Sequence, residues 1–190
     1  MSPKTPVLLL DVDGVVNAIT KTPDPNVWES WQKGEAESNG RTWPITWSPE
    51  VAKYLTGLHD SGRVEIRWHT TWQEDAQRIA DLVALPTLPV ADAPEYAEGG
   101  RFAARMIREN RPKWWKLPAA ERVVAEEGRP LIWIDDDIAD KLWREGGMAY
   151  PIGTVDAPAL LVCPNERTGL APKHLRTIDS FLTELEEGRK

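Results

Sequence analysis

The chain alternates short apolar runs with longer amphipathic stretches. Val7 to Leu10 is continuously hydrophobic and ends at Asp11. Val64 to Trp68 and Leu131 to Ile134 stop just before His69-Thr70-Thr71 and Asp135-Asp136-Asp137. Apolar runs this short, bounded by polar groups, read as buried strands that deliver polar side chains at their carboxyl ends. Thr87 to Val90 and Ala159 to Cys163, both flanked by Pro, are weaker strand candidates. Helices are predicted over Pro49 to Asp60, with Ser48 as N-cap and Ser61-Gly62 as the stop, and over Gln73 to Leu85. Further helices are predicted over Gly100 to Asn110, Pro118 to Glu127 and Pro172 to Glu187. This alternation predicts an α/β fold, a three-layer Rossmann-like parallel sheet of about five strands with helices on both faces.

From Asn17 to Trp47 the periodicity dissolves into Pro, Gly, Asn and Trp, which predicts a loop or small hairpin rather than a helix. There is no internal repeat, low-complexity tract or linker. Residues 1–190 are therefore expected to form one domain with a flap or small hairpin at about 17–47.

Composition narrows the function classes. No apolar run approaches the roughly 20 residues of a membrane-spanning helix, and Val7 to Leu10 is too short for a secretory core. Cys163 is the sole cysteine; it excludes an internal disulfide and is expected to be a buried, inert thiol. A cytoplasmic protein with no membrane association and no obligate protein partner is expected. The net charge of −7 opposes nucleic acid and weakens, without excluding, a polynucleotide substrate. Ten tryptophans cluster near the polar strand ends, where most should pack and some are suited to stack on a base.

The sharpest chemical signal is Asp11-Val12-Asp13-Gly14-Val15-Val16-Asn17. A strand ending in D-x-D-G sets two carboxylates at the sheet edge where open α/β sheets bind ligands, and Gly14 permits the tight turn. Adjacent carboxylates repel, so they share a proton or bind a hard cation such as Mg2+ through oxygen. An acid pair, a hydroxyl, a lysine and a second acid cluster follow in order, each after a strand or at a helix start. No spacing suggests zinc, and there is no GxxxxGK[ST] phosphate loop.

This order resembles the haloacid dehalogenase (HAD) superfamily over residues 7 to about 140: a D-x-D strand end, a Thr or Ser strand end, a lysine and a final acidic strand end. The first motif is D-V-D-G-V-V-N, and the fourth is the D-D form in Ile132 to Asp140. Thr70 is the second, with Thr71 as the adjacent candidate. Lys113 and Lys116 both precede the predicted helix. Lys116 is preferred as the motif lysine because it stands at the mouth of that helix, which leaves Lys113 as a solvated or substrate-contacting residue. The W-x-T-T-W of Trp68 to Trp72 and the W-I-D-D of Trp133 to Asp136 also resemble uncharacterised bacterial and phage HAD-like proteins.

The resemblance implies a Mg2+-dependent phosphomonoester hydrolase working through an aspartyl-phosphate on Asp11. Asp13 would act as acid and base, Thr70 and Lys116 would stabilise the transferring group, and Gly14, Thr71 and Lys113 would meet the substrate. The metal residues would be Asp11, Asp13 (through its backbone carbonyl), Asp136 and Asp135, with Asp135 or Asp136 as the direct ligand. Asp135 and Asp140 would alternatively orient the lysine or metal-bound water. A small or absent cap is expected. The expected substrate is a nucleotide or nucleic-acid end, with a small phosphorylated metabolite or a non-catalytic binding role as alternatives. Trp28, Trp31, Trp43 and Trp47 of the flap would either close over a base or pack on the sheet. Arg101, Arg105, Arg108, Arg111 and Lys113 form a local basic run, either phosphate-facing or a solvated helix face.

Overall fold

The computed structural model describes residues 4–91, 114–140 and 152–188. Gly100 to Asn110, the basic run and Lys113 lie outside them. The described elements are β1 (Val7–Leu10), β2 (Gln32–Ser38), β3 (Arg41–Trp47), α1 (Pro49–Ser61), β4 (Glu65–Trp68), α2 (Ala76–Val83), α3 (Lys116–Ala125), β5 (Leu131–Ile134), β6 (Ala159–Val162) and α4 (Pro172–Glu187). No helix among the described residues is long and apolar enough to cross a membrane.

The architecture is α/β. Its sheet is parallel, in the order β4-β1-β5-β6, and β1 pairs with both β4 and β5. Because strand side chains alternate, β1 and β5 feed two cores. Leu8, Leu10, Ile66, Trp68, Ile132 and Ile134 join residues of α1, α2, α4 and the β2–β3 hairpin on one face. Val7, Leu9, Leu131 and Trp133 join Ala120, Val123 and Val124 of α3 on the other. Helices thus cover both faces.

The described sheet has four strands rather than about five. Thr87 to Val90 forms only an isolated bridge, Val90 beside Trp68. Its backbone accepts Trp68 N–H at Pro89 O and returns Ala91 N–H to Trp68 O. Pro86 and Pro89 have no N–H to extend the ladder, which confines pairing to this one position.

The helix starts also differ from expectation. Gln73 has φ +51°, outside the α region, so Gln73–Asp75 forms a 3-10 turn and α2 begins at Ala76. Conversely α3 begins at Lys116, two residues ahead of Pro118, because a proline is tolerated within the first turn. α1 starts as expected, with Ser48 Oγ accepting the Glu50 N–H at 3.1 Å.

Residues 32–47 form an antiparallel hairpin whose two-residue turn is Asn39-Gly40, at φ +52° and +70°. Positive φ at both central positions is what a tight, right-twisted hairpin requires. The hairpin is tied to the 3-10 turn ahead of α2 by Asn39 N–H on Asp75 Oδ2, and to the loop after β1 by Ala18 N–H on Thr46 O. Trp47 is buried in the core, Trp28 packs against it and donates to Leu170 O, Trp31 donates to Asp24 O, and Trp43 is 45% exposed. Cys163, expected to be buried, is exposed just past β6, where its thiol contacts Asp136 O.

Candidate functional site

The register of three strands builds the site. Leu10 is level with Trp68 on one side and Ile134 on the other. Asp11, His69 and Asp135 therefore form the next row. Asp11 N–H donates to Ile134 O at 3.1 Å, His69 N–H to Leu10 O at 2.8 Å and Asp135 N–H to Val162 O at 3.1 Å. Period-two alternation sends this row toward the face of Leu9 and Trp133, the face covered by α3. Lys116, the first residue of α3, meets the row there. Its Nζ lies 2.6 Å from Asp11 Oδ2 and 2.5 Å from Asp135 Oδ2.

All three groups are buried. Burial pushes the Asp11 carboxyl above its ordinary range, opposed by the charge of Lys116 and by hydrogen bonds from Lys116, Thr70 and the Val12 N–H. Burial works against the Lys116 ammonium too, but Asp11 and Asp135 outweigh it and hold the lysine above its usual value. Asp135 is raised to about 7, first by burial and then by the Asp11 charge. Both Asp135 oxygens are engaged: Oδ2 by Lys116 and Oδ1 by the Asp137 N–H at 3.0 Å.

Asp136 completes an acidic group, with carboxylate oxygens of Asp11, Asp135 and Asp136 all within 4.8 Å of one another. Its carboxyl is raised to about 6, chiefly by burial, then by Asp11 and Asp137. When all are ionised, three carboxylates facing one ammonium leave two negative charges in a low-dielectric pocket. An all-oxygen donor set with that charge fits a hard divalent cation. Gly14 makes room for it: its φ is +70°, and a Cβ there would collide with the Asp136 carboxylate.

Asp13 is not part of that carboxylate group. Its side chain is turned to two donors, Asn17 Nδ2 on Oδ1 and Trp72 Nε1 on Oδ2, each at 2.8 Å. Thr70 is buried, donates to Asp11 and accepts the Trp72 N–H at 3.3 Å. Thr71 is exposed, as is Asp140. The site therefore brings together Asp11, Thr70, Lys116, Asp135, Asp136 and the Gly14 turn. Asp13 stands beside them.

Three participants carry no assigned role in the sequence reading. Asn17 and Trp72 hold Asp13, and both lie inside the D-V-D-G-V-V-N and W-x-T-T-W strings. His69, fully buried, packs edge-on against Trp115 and Trp133, with its Nε2 3.0 Å from Lys116 O. Burial, then the Lys116 charge, lowers its pKa to about 3, so the ring is neutral and Nε2 donates to that carbonyl. His69 thus tethers the start of α3 from beneath the site.

No family model matches this chain, and no curated protein matches it in sequence.

Proposed function

We propose that this chain is a phosphomonoester hydrolase that forms an aspartyl-phosphate on Asp11, as the likeness to the HAD superfamily implies. The observation that carries the reading is the Lys116 ammonium shared between Asp11 and Asp135, with Asp136 within 4.8 Å, at the carboxyl edge of a parallel sheet. Open α/β sheets bind ligands at this edge. A structural ion pair needs only one acid, and burying two unbalanced charges is costly unless a cation or an anionic substrate with its cation uses the place.

A carboxylate oxygen of Asp11 attacks phosphorus, forming the Asp11 O–P bond while the P–O bond to the leaving group breaks. The Asp13 carboxyl gives its proton to that leaving oxygen. Water then attacks the phosphoryl group, passes a proton to Asp13, and the Asp11 O–P bond breaks, releasing phosphate and restoring both acids. Lys116 and the Thr70 hydroxyl lower the charge that builds on the transferring group and on Asp11.

Mg2+, held by the Asp11 and Asp136 carboxylates and the Asp13 backbone carbonyl, would supply the countercharge that lets a phosphate dianion approach these acids. The engagement of both Asp135 oxygens favours Asp136 over Asp135 as the direct ligand, with Asp135 setting the lysine. The half-buried Trp115 presents an aromatic ring whose centroid is 6.0 Å from Lys116 Nζ. This supports a nucleotide or nucleic-acid end as the substrate.

The test is phosphate release with and without Mg2+ from mononucleotides, 3′- and 5′-phosphorylated oligonucleotides and sugar phosphates. Magnesium-dependent release is expected, largest for nucleotide substrates, and Asp11→Asn should lower it on the order of 10⁴-fold or more. Appreciable turnover by that variant rules out Asp11 as nucleophile, and a wild type silent across the panel overturns the reading.

A further inference from the structure

The two donors on Asp13 are unlike in origin and alike in placement. Asn17 is 6% exposed and sits in the loop that leaves β1. Its amide orientation is set by its other partner, because Thr46 N–H donates to Asn17 Oδ1 at 2.9 Å, which leaves Nδ2 to face Asp13 Oδ1. Trp72, also 6% exposed, lies just after Thr70, and its own backbone N–H is held by the Thr70 hydroxyl. Its indole Nε1 reaches Asp13 Oδ2. The carboxylate is thus gripped at both oxygens by neutral N–H groups. The grips come from two directions, the loop beside hairpin strand β3 and the segment after β4.

A carboxylate offers about four lone-pair sites, so it can keep both donors and still carry a proton toward a third group. Neutral donors on rigid, buried elements fix the direction of that third site without adding a competing charge. A carboxyl rotated away from the leaving oxygen loses most of its value as an acid, because proton transfer needs hydrogen-bond reach in the transition state.

We propose that Asn17 and Trp72 are positioning residues that aim Asp13 at the leaving-group oxygen, and that Asn17 joins the hairpin backbone at Thr46 to that aim. The inference rests on the phosphatase reading. It predicts a signature that general damage to the fold does not produce. Expulsion of a poor leaving group, such as a nucleoside alkoxide, needs the proton from Asp13, whereas p-nitrophenolate leaves largely without one.

The experiment measures leaving-group release in the first turnover, with the full-length protein in excess and Mg2+ present. It uses a nucleoside 5′-monophosphate and p-nitrophenyl phosphate, so that the later hydrolysis of the aspartyl-phosphate does not enter. Trp72→Phe, which removes the N–H and little volume, should slow nucleoside release about 10- to 100-fold. It should slow p-nitrophenolate release less than about threefold, since that step draws little on general acid catalysis. Asn17→Ser, which withdraws the other donor and leaves the indole in place, should give the same split and serves if Trp72→Phe fails to fold. Equal slowing of both esters, or no slowing of either, overturns this inference while leaving the phosphatase reading intact. A wild type that releases neither leaving group overturns that reading and this inference with it.

Discussion

The α-carbon of Gly14 faces the carboxylate of Asp136 so closely that the smallest side chain would collide with it. The same glycine has φ +70°, so its lack of a Cβ serves the turn after β1 and the acid after β5 together. Gly14→Ala should destabilise the protein by about 1–3 kcal/mol from backbone strain. It should also displace Asp136 and abolish any gain in melting temperature on adding Mg2+. Thermal unfolding of both proteins over a magnesium titration checks this, and an unchanged magnesium response in the variant would separate Asp136 from the metal.

Lys116 is the one cation within hydrogen-bond distance of both Asp11 and Asp135 among the described residues. Removing it leaves two like charges buried together. Lys116→Met should therefore cost about 3–5 kcal/mol of stability, the penalty of a broken buried pair. Adding Asp135→Asn to it should recover part of that loss. Denaturant unfolding of the single and double variants decides; a single-variant loss under about 1 kcal/mol, typical of an exposed ion pair, would show that the ammonium is not a structural counterion.

Thr70 donates to Asp11 and accepts the Trp72 N–H. Thr70→Val preserves the shape and removes both bonds. The stranded N–H should cost about 1–3 kcal/mol in stability. Turnover should fall about 10²- to 10³-fold, as when one donor to a developing charge is lost. Measured kcat at saturating substrate, beside the unfolding free energy, separates the two effects. Unaltered kcat would restrict Thr70 to a structural role.

Away from the site, Arg67 and Arg129 bind Glu65 and Glu127. Hydrogen bonds from Arg67, partly offset by burial, hold both glutamates below their ordinary value of 4.5. A depressed folded-state value gives stability that is present above the unfolded value and is lost as pH falls through the folded one. Unfolding free energy should therefore decline as pH drops below about 4.5, and more steeply in the wild type than in Glu127→Gln. Matching slopes over pH 5 to 3 would show that the cluster is not linked to folding.

Much of this was legible in the sequence. The strands Val7–Leu10 and Leu131–Ile134 and the helix Pro172–Glu187 fall where the apolar runs and end signals put them, because buried parallel strands must be continuously apolar. Asp11, Asp13, Thr70 and Asp135 to Asp137 were readable as polar groups at strand ends for the same reason. The turn residues Asn39-Gly40 carry a hairpin signal that sharpens an expectation of loop or hairpin into hairpin. Prolines set the outer limit of the sheet: spacing alone makes Thr87 to Val90 a strand, and the missing N–H groups reduce it to one bridge.

Local sequence therefore determined the α/β order, the inner strands and the kinds of group that gather at their carboxyl ends. Tertiary structure decided which of those groups meet. Parallel register and period-two alternation turn Asp11 and Asp135 to the face beneath α3, and the start of α3 at Lys116 brings the ammonium between them. The grip of Asn17 and Trp72 on Asp13 spans 59 residues of chain in its longer bond. Spacing along the chain carries no information about such a contact, because only the packing of separate elements brings the two groups within reach.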